Sequence, residues 1–150
     1  MSSRAMPPTY LAIKMIHFMG LALGVGATFA ALTLSRASTG LEPAEREKFA
    51  LRTMALSKNG SYGLLVLLLS GLGMFFMRGP RAVLAAGGPA LHAKLTFVLI
   101  LCGLVGYSQA LGKRAREAGG GPLLAKLHSV RLVILATALA IIVAAVIAFQ

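Results

Sequence analysis

Apolar residues fall along the chain in four long runs separated by shorter polar stretches. A helix crosses a hydrocarbon core in about 20 residues, and each run comes near that length. The first covers about 10–34 and begins after Pro7-Pro8. The second covers about 61–77, with room to extend back towards Ala55. The third covers about 91–111 and is entered through Gly87-Gly88-Pro89; the fourth covers about 130–149. No stretch reads as a strand and no internal repeat is visible. The pattern predicts an all-α fold: an integral membrane four-helix bundle, with residues 1–150 forming a single transmembrane domain. The first run is too long for the apolar part of a signal peptide, and Lys14 and His17 interrupt it, so it is expected to remain as a permanent helix.

The connections differ in character. In the first, Ser35 to Gly60, Pro43 followed by acidic residues marks a helix start. Phe49, Leu51, Met54 and Leu56 there can form one apolar stripe, which predicts a surface-lying helix. The second connection, "RGPRAVLAAGGPA", is short and reads as turn-like. The third, "GKRAREAGGGPLLAKLHS", joins a glycine run to a basic amphipathic lead into the last span.

Composition supports lipid as the main solvent. Hydrophobic residues make up 57% of the chain and charged residues 13%, against about 45–50% and about 25% in ordinary soluble domains. Mean hydropathy is +0.81. The net charge of +11 resides in the gaps between apolar runs, as expected of loops held against anionic lipid and not of a nucleic-acid surface. A single cysteine, Cys102, excludes an intramolecular disulfide and any multi-cysteine metal centre within one chain.

Basic residues also set the expected orientation. Arg36, Arg46, Lys48, Arg52 and Lys58 fall in or beside the first connection; Lys113, Arg114, Arg116, Lys126 and Arg131 belong to the third. The opposite face has Arg4, Arg78 and Arg81, with Lys14 and Lys94 at the edges of apolar runs. The richer face is expected to be cytoplasmic, which places both termini on the outer side.

Ionisable residues inside the spans are the chief functional signal, because they are costly in hydrocarbon. The first and third spans run in the same direction, so Lys14, His17, His92 and Lys94 gather towards the outer face. At about 1.5 Å per residue, Lys14 and His17 lie roughly 6 and 10 Å into the first span. Helical steps from His17 reach Gly20, Leu21, Gly24 and Thr28. "GLALG" is a GxxxG pattern, which admits a neighbouring helix or a flat ligand close to the backbone. From His92 the same steps reach Thr96, Leu99, Cys102, Gly103 and Gly106, a small and partly polar face. Lys94 aligns instead with Phe97, Val98, Leu101, Val105 and Ser108. Periodicity alone favours His92 as the inward residue.

Plainer roles are expected for other positions. Lys14 can snorkel to the headgroups, and His128 reads as an interfacial residue. Gly71, Gly73, Gly103 and Gly106 read as packing positions, and the methionines as packing or lipid-facing.

A histidine beside glycines, facing a second basic ligand on a parallel helix, fits a b-type haem. His17 and His92 would ligate the iron, Gly20 and Gly24 would leave room for the porphyrin, and the cations could pair with its propionates. The second imidazole nitrogen of His17 is then expected to donate to a carbonyl or a polar side chain. A zinc or copper site would need further ligands, and Glu42, Glu45, Glu47 and Glu117 all fall on the opposite face.

"YLAIKMIHFMG" resembles the first helix of HemJ-type and CopD-like small membrane proteins, with its Lys-x-x-His pattern. "LHAKLTFVLILCGLVGYSQ" is similar to their third helix, and "SVRLVILATALAIIVAAVIAF" to their last, where Arg131 matches the arginine preceding the span. The resemblance implies haem b and protoporphyrinogen-oxidase-like chemistry, and it directs attention to His17 and Lys94. His92 and Lys94 thus both stand as the second ligand. The expected function is a multi-pass protein of a bacterial inner membrane that binds haem b in electron transfer or porphyrin oxidation. The alternative is a non-catalytic subunit or scaffold of a larger membrane complex. Expected partners are membrane lipids, with a homo-oligomer or larger complex compatible with the glycine faces.

Overall fold

The computed structural model describes residues 7–118 and 121–148. Arg4, both chain termini, part of the glycine run at 119–120 and the end of the fourth predicted span at 149 lie outside the described residues. All described secondary structure is helical: α1 Pro8–Ala37, a 3₁₀ turn Ser38–Gly40, α2 Pro43–Thr53, α3 Ala55–Arg78, α4 Pro80–Glu117 and α5 Pro122–Ala148. Four helices are long and apolar enough to cross a membrane. At 30 residues, α1 is about 45 Å long, exceeding the roughly 30 Å of a hydrocarbon core.

Three boundaries depart from the apolar pattern for identifiable reasons. The second span does extend back to Ala55, because Ser57, Lys58 and Asn59 continue the helix that the apolar run alone would not reveal. The second connection is not a loop. Gly79, at φ +83, makes the turn after α3, and Pro80 then starts a helical piece that runs into the third span. The break expected at Gly87-Gly88-Pro89 is a kink: Gly88 takes φ 46, ψ −153, a conformation open to glycine, and Pro89 starts the next helical turn with its fixed φ. The basic lead before the fourth span is the first part of α5 itself.

The helices alternate in direction. Arg78, ending α3, stacks its guanidinium 4.9 Å from the ring of Tyr10 in the first turn of α1, while Gln109 near the end of α4 bonds to Ser57 and Ser61 at the start of α3. The molecule therefore has two ends. One, the His17 end, carries the start of α1, the end of α3 and the kink of α4. The other, the Arg131 end, carries α2, the end of α4 and the start of α5.

Packing is closest within two antiparallel pairs, α1 with α3 and α4 with α5. Lipid tails are as apolar as leucine, so spanning helices associate through close fit and polar contacts and not through hydrophobic expulsion. The α1–α3 pair follows that rule. A side chain at Gly63 would come within 2.8 Å of the Gly20 carbonyl and of the Gly24 Cα, and one at Gly20 within 3.0 Å of the Gly63 carbonyl. The glycines let the two backbones meet. Large apolar side chains such as Met15, Phe18, Met19, Leu69 and Phe76 point outward, as expected where the solvent is hydrocarbon.

The two pairs join at the Arg131 end. Met54, Leu111, Ala115 and Leu127 form one buried cluster, with Leu127 only 1% exposed. Leu51 of α2 packs on it, and Met54 is the buried member of the predicted stripe. Glu47 of α2 accepts the backbone N–H of Gly121 at 2.7 Å, tying the surface helix to the start of α5. Towards the His17 end this core runs out: among the described residues, α4 has no buried residue before Leu101 and α5 none after Ala138.

Candidate functional site

His17 sits half-buried on α1, two turns and more inside its start. Its ring reaches α3, where Nδ1 lies 2.9 Å from the hydroxyl of Ser70. The Ser70 hydroxyl donates its own proton to the Val66 carbonyl one turn back. Its remaining lone pair accepts from His17, so Nδ1 carries the proton and Nε2 presents a lone pair. Nε2 has no hydrogen-bond partner among the described residues. Gly71 clears space for the ring, since a Cβ there would stand 3.4 Å from its Cε1. A neutral imidazole, fixed through one nitrogen and open at the other, is the form that binds a metal.

Lys94 on α4 is half-buried. His92 is exposed, and its Nδ1–H donates to the Gly88 carbonyl at 2.9 Å, which ties it to the kink. The helical face chosen from periodicity is therefore turned outward. Thr96, Leu99, Gly103 and Gly106 share the exposure of His92, with Leu99 at 73%, and a Cβ at Gly103 or Gly106 would meet nothing within 4 Å. The inward face is that of Lys94, with Leu101 and Ser108 buried and Phe97, Val98 and Val105 half-buried. Bulky side chains fill the space between helix pairs, whereas the small face leaves it unfilled. Lys14 is exposed.

Gly20 and Gly24 do lie on the His17 side of α1, but the helix they meet is α3, the second span and not the third. The crossing takes up the close approach that was expected for a third-span helix or a cofactor. Among the described residues no three histidine, cysteine or acidic side chains group as a metal-ion site.

A second polar cluster was missed in the sequence. Arg131, counted there as a cation of the third connection, is inside α5 and only 9% exposed. It donates to the Ser57 hydroxyl at 2.9 Å. Gln109 of α4 donates to the Ser57 carbonyl at 2.8 Å and to the Ser61 hydroxyl at 2.6 Å. Ser57 thus joins three helices. Close by, His128 of α5 pairs with Ser35 of α1 at 3.2 Å. Ser70 was missed in the same way, although it is the single hydroxyl in the run "LLVLLLSGLG". A polar residue inside so apolar a segment is the signal that would have found it.

Comparison with protein families, with characterised proteins and with solved structures finds no match.

Proposed function

We propose that this chain is a multi-pass inner-membrane protein that holds haem b through His17, with Lys94 facing it from α4, and serves electron transfer or porphyrin oxidation. The hydrogen bond from His17 Nδ1 to Ser70 carries the reading. It selects the tautomer with a free Nε2 and holds the ring in one orientation, as outer partners of ligating histidines do. A porphyrin supplies four of the iron's ligands itself, so one or two protein side chains suffice. That requirement matches a lone histidine, which a bare metal ion does not. Bound haem would supply one-electron chemistry; His17 would anchor it, and Lys94 would offer either a second ligand or a cation for a propionate. Ten of the fifteen basic residues fall at or beside the Arg131 end, so we place that end in the cytoplasm and the His17 end on the outer side.

The second reading, a scaffold subunit, rests on the Gly20–Gly24–Gly63 crossing, because glycines so engaged need no cofactor to explain them. A visible spectrum of the purified protein, oxidised and dithionite-reduced, separates the two. The haem reading expects a b-type spectrum in the wild type that His17→Ala abolishes. A colourless wild type, or full haem retention in His17→Ala, would end it.

A further inference from the structure

The Arg131 end has a feature that the haem reading does not use. A cleft of about 300 Å³ opens between α3 and α4 there, walled by Ser57, Lys58, Gln109, Lys113, Arg116 and Glu117. A second hollow, of about 330 Å³, adjoins it and shares Lys58 and Gln109. Three cations thus face one carboxylate, and Glu117 is engaged at 4.0 Å by Lys113, four residues earlier on the same helix. That is the only salt bridge among the described residues. Behind the wall, Arg131 is 9% exposed and reaches Ser57. Its guanidinium therefore lies buried with a hydroxyl for a partner and, among the described residues, no carboxylate. A buried charge without a counter-charge is costly, and an anion in the adjoining cleft would relieve it.

We propose that this cleft binds a phosphate group, carried by an anionic phospholipid headgroup or by a small soluble phosphate compound. Lys58 and Arg116 contact the phosphate from α3 and α4. Arg131 compensates its charge from behind and keeps Ser57 and Gln109 in place. Cations at a cytoplasmic surface attract anionic lipid in general, so the proposal is distinguished by location. Binding depends on the cations of the cleft and not on those elsewhere at the same end.

Thermal melts of the full chain in detergent, followed by helical circular dichroism, read this directly. Titration with short-chain phosphatidylglycerol should raise the melting temperature of the wild type, whereas phosphatidylcholine should not. Lys58→Gln and Arg116→Gln should each weaken the phosphatidylglycerol response about fivefold, as expected for one basic side chain near the surface. Arg36→Gln with Arg46→Gln, exposed cations outside the cleft, should leave it unchanged. Inorganic phosphate, compared with chloride at equal ionic strength, identifies the source: an equal response assigns a soluble phosphate, and none assigns the lipid. The proposal fails if the wild type responds to neither ligand. It fails equally if the Arg36 and Arg46 substitutions lower the response as much as those in the cleft. If either cleft variant does not fold, Lys113→Gln, 81% exposed, replaces it with the same expectation.

Discussion

The two ends of the bundle are held by different means. At the His17 end α1 and α3 meet backbone to backbone, through Gly20, Gly24 and Gly63. Few side chains there are buried, and the hydrogen bond from His17 to Ser70 uses only one nitrogen of the ring. At the Arg131 end the helix pairs are joined by side chains: an apolar cluster around Leu127 and a polar junction at Ser57. One end joins the pairs through side chains; the other brings α1 and α3 together through glycines and a histidine–serine bond.

The largest expected effect tests the backbone contact. Gly63→Leu forces a side chain into space held by the Gly20 carbonyl and the Gly24 Cα, where the neighbours are main chain and cannot rotate aside. We expect loss of the folded protein, read as aggregation on size-exclusion chromatography after detergent extraction. Gly103→Leu, on the outward face of α4, should extract and elute like the wild type. Equal behaviour of the two variants would remove the distinction between the crossing and the small exposed face. The next effect tests the apolar junction. Leu127 is 1% exposed, and truncation of a buried leucine costs about 2–5 kcal/mol. Leu127→Ala should therefore lower the melting temperature substantially while leaving the spectrum of any haem at the other end unchanged in shape.

The contrast between the ends also explains what the sequence revealed. Four apolar runs determine four helices, because length and hydropathy are local properties. Helix pairing is not local. GxxxG announced a close approach at Gly20 and Gly24 but could not name α3 as the partner, since the answering residue, Gly63, is flanked at four-residue spacing by Asn59 and Leu67 and so carries no such pattern. His92 was favoured because small residues follow it at helical spacing. In the folded chain volume decides instead, and the bulkier face of Lys94 fills the interior. Arg131 counted as a loop cation because it precedes the apolar run, whereas α5 begins about two and a half turns earlier, at Pro122. Gly87-Gly88-Pro89 marked the entry to the third span, but the helical piece before it, from Pro80, was read as a turn, and only the structure shows the two joined through a kink at Gly88.

The smallest predicted effect probes the fixing of the His17 ring. Ser70→Ala removes the acceptor for Nδ1–H and leaves the α3 helix intact, because the Ser70 hydroxyl bonds only to His17 and to carbonyls of its own helix. The ring then loses its selected tautomer and orientation but keeps Nε2. Loss of such an outer partner lowers metal affinity about 10–100-fold, so haem should bind more weakly while the melting temperature of the haem-free protein stays near that of the wild type. Ser70→Thr restores a hydroxyl that can bond both the preceding turn and the imidazole, and it should recover most of the affinity. Haem titrations of the three proteins, followed at the Soret band, provide the comparison. Equal affinity in Ser70→Ala and wild type would mean that the serine serves helix packing only, and that the ring is oriented by other contacts.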